Sequence, residues 1–184
     1  MNLLVIVEEG FEDTELTGTL DLFHRANNLF NKTTFYNPLG IEATGAHKIV
    51  KLQTTSNINV DEYDVLFIPG GPAAKSIRKN QTFLNLIAKF KSQNKLIIAI
   101  CDAPNVLYEN KFIDSKTKFS SFPINDSVKE ISNRSKELVS ISPDKKLITG
   151  KCAAAVFDFG LAVIEVLGGN QLAKLVLQAI KPID

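Results

Sequence analysis

Three short runs of this chain carry no polar residue: Leu3-Leu4-Val5-Ile6-Val7, Val65-Leu66-Phe67-Ile68 and Leu96-Ile97-Ile98-Ala99-Ile100. A strand that alternates apolar and polar residues can leave one face in water. An unbroken apolar strand needs cover on both faces, which a parallel sheet between two layers of helices supplies. The segments between these runs have helical period. Glu15–Asn28 places Leu16, Leu20, Phe23 and Ala26 on one side, and Asn80–Ser92 does the same with Phe83, Leu84, Ile87 and Phe90. Thr33–Tyr36, Lys118–Ser121 and Leu147–Thr149 predict further strands. Ala103–Glu109, Ala153–Leu167 and Gln171–Ile180 predict further helices, and residues 40–60 predict short β segments in a hairpin or at an edge. With no repeat, linker or low-complexity tract, residues 1–184 read as a single α/β domain with a mainly parallel central sheet.

Composition removes several function classes. A net charge of +1 gives no electrostatic case for nucleic acid or an anionic membrane surface. The apolar runs are too short to span a bilayer. Met1 leads straight into the first run and acids follow it, which reads as a strand rather than a signal peptide. Two cysteines, Cys101 and Cys152, make no disulfide framework, so a cytoplasmic compartment is expected. The two histidines, His24 and His47, form no cluster with ligand spacing, so neither a metal nor a cofactor is expected.

In an open α/β sheet the site lies beyond the carboxyl ends of the strands. Three motifs fall there: Glu8–Glu15 after the first run, Gly70-Gly71 after the second and Cys101 after the third. A strand that delivers a thiol to the start of a helix has the layout of a nucleophile elbow, and unpaired N–H groups in the first helical turn favour thiolate. Free cysteine is also among the most buried residue types, so position alone leaves an inert core thiol open. Gly70-Gly71 reads either as a plain turn or as backbone positioned to face an oxyanion. Glu12 and Asp13 read as acids on a solvated first turn. Glu15 adjoins the strand ends, where burial and a neighbouring thiolate would raise its pKa and keep it protonated as a donor to sulfur. Asp102 either caps the following helix or disfavours a thiolate beside it. Cys152, after the Leu147–Thr149 strand, reads as a core thiol or as a resolving partner for Cys101.

Taken together, Glu8-Glu9-Gly10-Phe11-Glu12-Asp13-Thr14-Glu15-Leu16, Asp64–Gly71 and Ile97–Pro104 resemble the ThiJ/PfpI family, in its clade of DJ-one-like and bacterial ThiJ-like proteins. Phe122-Pro123 with Asp126, and Leu147–Gly160, match in order and spacing. The resemblance implies a flavodoxin-like three-layer sandwich, a homodimer, Cys101 as nucleophile, Glu15 as the acid that hydrogen-bonds it and Gly71 as an oxyanion-type donor. It makes Gly70, Asp102, Phe122, Lys151 and Cys152 pocket candidates. Asp102-Ala103 stands where small residues are usual, Phe122 where some members have histidine, and Lys151-Cys152-Ala153 where an Arg- or Gln-Gly-Pro segment is usual.

The expected function is protection against oxidative or carbonyl stress. It would use glyoxalase- or deglycase-like chemistry on small reactive carbonyl compounds or glycated groups, through Cys101 assisted by Glu15. The alternative is a non-catalytic cysteine redox sensor or chaperone-like binding protein. A cysteine protease or class I glutamine amidotransferase needs a histidine beside the thiol, and both histidines lie before residue 50.

Overall fold

The computed structural model describes residues 1–27 and 29–181. Its central sheet has six strands. In chain order they are β1 (Asn2–Ile6), β2 (Lys32–Tyr36), β5 (Val65–Ile68), β6 (Leu96–Ile100), β9 (Val139–Ile141) and β10 (Leu147–Gly150). Their spatial order is β2-β1-β5-β6-β10-β9. The first five are parallel, and β9 closes the edge antiparallel to β10. Among the parallel strands this is the 2-1-3-4-5 order of flavodoxin-like folds. Every residue of β5 and β6 is buried, as are Leu3–Ile6 of β1, so the unbroken apolar runs form the central strands.

Handedness sets the layers. Helix α1 (Asp13–Arg25) connects β1 to β2, and α2 (Ala74–Ile77) and α3 (Gln81–Ser92) connect β5 to β6, stepping the opposite way along the sheet. Right-handed crossovers therefore put α1 and α3 on opposite faces. Helices α6 (Val156–Gly168) and α7 (Asn170–Ile180) pack with α1, whereas α4 (Ala103–Glu109) packs on β6 and α2. The step from β1 leftward to β2 and rightward to β5 creates a switch point, and the crevice beyond the carboxyl ends of β1 and β5 is where such folds place their chemistry.

The expected bounds of β5, β6 and α4 hold to the residue, because each is an apolar run or carries a start signal such as Pro104 in the first turn of α4. The first helix starts at Asp13 and ends at Arg25, and the expected end at Asn28 lies outside the described residues. The expected hairpin is β3 (Ala43–Thr44) paired antiparallel with β4 (Lys51–Leu52). The strand expected at Lys118–Ser121 is β7 (Phe119–Ser120), which pairs with β8 (Arg134–Ser135) outside the central sheet. Helix α2, helix α5 (Asp126–Lys129), β8 and β9 give too few residues for a period to register.

Asp13 corrects the expectation of a solvated acid. It is only 2% exposed, and its carboxylate accepts the backbone N–H groups of His47 (2.9 Å), Ile49 (3.1 Å) and Val50 (2.9 Å). It thus ties the β3–β4 connection to the first turn of α1. Burial opposes its charge, but the backbone donors outweigh burial and hold its pKa below the usual carboxylate value. A lowered folded-state pKa contributes stability that is complete above the unfolded value of about 3.9 and is lost as pH falls through the folded value. Asp13→Ala strands three donors and is expected to cost about 2 kcal/mol at neutral pH. The deficit should narrow below about pH 4. Urea unfolding at neutral and acid pH checks this, and equal neutral stabilities would refute the anchoring role.

Candidate active site

β6 ends at Ile100, and Cys101 then turns the chain with φ +65°, a left-handed conformation that costs a non-glycine residue energy. Its backbone is held on both sides: its N–H donates to the Gly150 carbonyl on β10 (2.9 Å), and its carbonyl accepts the N–H of Phe122 (2.8 Å). These two bonds fix the elbow, and α4 starts immediately beyond it. The thiol itself is half-buried.

Two other strand ends reach the same point. Gly70 and Gly71 follow β5, and Gly71 has φ +88°. A Cβ there would lie 2.6 Å from the Glu12 nitrogen and 2.7 Å from the Gly10 oxygen, so this position requires glycine for both conformation and space. A Cβ on Gly70 would lie 2.5 Å from Cys101 Cβ and 2.6 Å from Glu15 Oε2, so absence of a side chain is what lets carboxyl and thiol meet. Glu15, from the first turn of α1, is wholly buried. Its Oε2 accepts the Gly70 N–H at 3.0 Å. Its Oε1 is buried without a hydrogen-bond partner, and the Cys101 thiol is among the groups that act on the carboxyl. The backbone N–H groups of Gly71 and Asp102 are the neighbours that favour the thiolate.

Burial raises the Glu15 pKa to about 7, with the charges of Glu12 and Asp102 adding to it, against the opposing effects of the thiol and the Gly70 N–H. Burial also pushes the Cys101 thiol up, and the Glu15 charge adds to this. This departs from the expectation that the helix terminus alone would favour thiolate. The two N–H donors act in that direction, but burial and the carboxylate outweigh them. The consequence is coupling: protonation of Glu15 removes the charge that opposes thiolate and supplies an O–H donor toward the sulfur.

Asp102 neither caps α4 with its side chain nor stands bare beside the thiol. Its carboxylate is engaged by the Arg78 guanidinium at 2.9 and 3.4 Å and by Asn105 Nδ2 at 2.9 Å. The same Asn105 nitrogen donates to the Phe122 carbonyl at 3.0 Å. Arg78, which follows α2, also pairs with Glu109 at 2.5 Å. Sequence reading missed both Arg78 and Asn105. The spacing Asp102-x-x-Asn105 was a readable signal for the second; nothing local pointed to the first.

The other candidates divide. Phe122 joins the site through its backbone, while its ring is 42% exposed. Lys151 turns away, donating its ammonium to the Lys136 carbonyl at 2.9 Å. Cys152, read as a core thiol or a resolving partner, is half-buried at the carboxyl end of β10, because the chain runs extended there before a short 3-10 turn at Ala153–Ala155. Both cysteines are free thiols. His47 lies beside Glu12, with Nε2 to Oε1 at 3.3 Å, and not at the sulfur. Among the described residues no group of three His, Cys, Asp or Glu side chains could hold a metal, and no helix is long and apolar enough to cross a membrane. A pocket of about 410 Å³ lies at the opposite, amino-terminal ends of β6 and β10, lined by Ile97, Leu107, Phe112 and Leu147, away from this chemistry.

The Arg78 pairing predicts the electrostatics of the thiol. Arg78→Met leaves the Asp102 charge uncompensated beside the sulfur, so iodoacetamide alkylation of Cys101 at pH 8 should slow several-fold, and Asp102→Asn in the same background should restore it. An unchanged rate in the single variant would show that Asp102 does not act on the sulfur.

Comparison with known proteins agrees with the topology. The model of the DJ-1/PfpI family matches residues 1–166. The uncharacterised protein MG029 of Mycoplasma genitalium is 33% identical over 95% of this chain and 92% of its own length. The deglycase TK1284 of Thermococcus kodakarensis is 27% identical over 70% of this chain and 77% of its own. The crystal structure of VC2308 protein shares the fold with a TM-score of 0.82 at 24% identity, over 98% of this chain and 94% of its own. A flavodoxin-like sheet with these motifs at three adjacent strand ends, matched along residues 1–166, places the chain in the DJ-1/PfpI family.

Proposed function

We propose that the protein is a cysteine-dependent enzyme that acts on small reactive carbonyl compounds or the adducts they form. The observation that carries this reading is the wholly buried Glu15 carboxyl, with its pKa raised to about 7, set against the thiol at the elbow. Such a group exchanges protons near neutral pH, as a general acid–base must. The relative named a deglycase supports the substrate class.

For a 2-oxoaldehyde the steps follow from the groups present. The Cys101 sulfur adds to the aldehyde carbon, the C=O π electrons move to oxygen, and the thiol proton ends on that oxygen. The Gly71 and Asp102 N–H groups, which favour negative charge at the sulfur, stabilise the developing oxyanion. Glu15, as carboxylate, takes the proton from the former aldehyde carbon, the electron pair moves to the neighbouring carbonyl oxygen and an enediolate forms. The hydroxyl proton passes from the former aldehyde oxygen to the neighbouring oxygen, and return of the Glu15 proton to the neighbouring carbon gives a thioester of Cys101. Water cleaves the thioester, releasing a 2-hydroxy acid and the free thiol. The net change is addition of one water, with no outside oxidant or reductant.

With methylglyoxal as substrate, lactate formation should drop to the protein-free background in Cys101→Ser and by about 10²-fold or more in Glu15→Gln. Because the carboxylate form is the base, wild-type kcat/KM should rise with pH through about 7, a limb that Glu15→Gln should lack. Lactate production by Cys101→Ser equal to wild type would reject the reading.

A further inference from the structure

Phe122 supplies one of the two backbone bonds that fix the elbow, and it is itself held from both sides by side chains that the mechanism does not use. Its N–H donates to the Cys101 carbonyl at 2.8 Å. That N–H shares one peptide group with the Ser121 carbonyl, and in a trans peptide the two point in opposite directions. The Ser121 carbonyl accepts Arg134 Nη2 at 2.6 Å, and the Ser121 hydroxyl accepts Arg134 Nε at 2.9 Å. The guanidinium, the 121–122 peptide and the Cys101 carbonyl thus form one hydrogen-bonded chain, in which a charged donor at one end polarises the N–H at the other. The next peptide is pinned as well: the Phe122 carbonyl accepts Asn105 Nδ2 and the Ile124 N–H, both at 3.0 Å. Arg134 opens β8, outside the central sheet, and its register partner on β7 is Phe119. Ser121 follows β7 and is wholly buried, so its carbonyl has no water to turn to. The Arg134 pKa is lowered with burial as the cause, and no carboxylate among the described residues offsets it. Charge pairing therefore does not account for this arginine; its bonds to Ser121 do.

We propose that Arg134 is a positioning residue for Cys101, which acts through the Ser121–Phe122 peptide to hold the elbow carbonyl and so keep the thiol set against Glu15. The kinetic part of this rests on the carbonyl chemistry proposed above; the part that concerns the elbow does not. Cys101 sits at φ +65°, a conformation that persists only where the surroundings over-determine it. Its two backbone bonds have different origins. The bond to Gly150 belongs to the sheet, where Ile100 and Gly150 are register partners. The bond from Phe122 comes from a connecting segment, whose shape lasts only as far as its own polar groups are tied. Arg134 ties one side of Phe122 and Asn105 the other. Without Arg134, the buried Ser121 carbonyl must turn to find a partner. The Phe122 N–H turns with it, because the two lie in one rigid plane. The elbow then relaxes and carries the sulfur away from the carboxyl. A lysine keeps the charge but replaces the planar fork with one flexible ammonium, so it restores the hold only in part.

Amide hydrogen exchange in wild type, Arg134→Met and Arg134→Lys reads the elbow directly. Exchange of the Phe122 amide should rise about 10-fold or more in Arg134→Met while the amides of β5 and β6 change far less, and Arg134→Lys should lie between. With methylglyoxal, Arg134→Met should lower kcat about 10-fold or more with KM within about two-fold, since displaced reacting groups cost rate rather than binding. The rise of kcat/KM through about 7 should also move to higher pH, because the thiol that lowers the Glu15 pKa has moved away. Unchanged Phe122 exchange overturns the proposal, and so does an equal rise at Phe122 and across β5 and β6, which is loss of global stability. Faster Phe122 exchange with wild-type kcat and an unmoved pH limb overturns the link to the reaction. A wild type that makes no lactate overturns the carbonyl reading alone, and the Phe122 amide still decides whether Arg134 holds the elbow. If Arg134→Met does not fold, Arg134→Lys decides by the same measurements.

Discussion

Burial of β1, β5 and β6 on both faces is the constraint on which the rest of the molecule depends. An apolar sheet interior offers no partner to a polar side chain, so polar chemistry is displaced to the strand ends. Right-handed crossovers in opposite directions then open a crevice at one such end, between β1 and β5. Glu15, Gly70-Gly71 and Cys101 come from three separate parts of the chain, and they meet because their strands are neighbours.

Two acids in the first turn of α1 show how environment divides similar groups. Asp13 and Glu15 are both buried. Asp13 accepts three backbone N–H bonds, stays charged and holds the β3–β4 connection. Glu15 accepts one, from Gly70, faces a thiol and titrates at about 7. The number of donors decides which acid is structural and which can trade protons. A parallel division applies at Asp102, where the Arg78 guanidinium compensates the charge that would otherwise sit bare beside the sulfur.

Much of the architecture was legible locally. β5, β6 and α4 match their expected bounds because continuous burial and an early helix proline leave a signal in a handful of residues. The glycines and the thiol were legible as strand-end motifs, and Glu15 as the acid nearest them. The short elements α2, α5, β8 and β9 were not, since too few residues repeat. The solvated reading of Asp13 failed because its partners lie more than thirty residues away, in a loop whose path no local pattern reveals. Arg78 escaped for the same reason: its significance lies in Asp102, across one helix and one strand.

The sequence by itself determined that a doubly covered parallel sheet would form and that a thiol would leave one of its strands into a helix, because those features follow from which residues are apolar and where the chain turns. Only the tertiary structure decided how that thiol is tuned. Its proton affinity depends on how deeply it is buried, on the Glu15 charge set against it and on the backbone N–H groups of Gly71 and Asp102. These are sums over neighbours brought together by strand order, and they exist only once the sheet has been assembled.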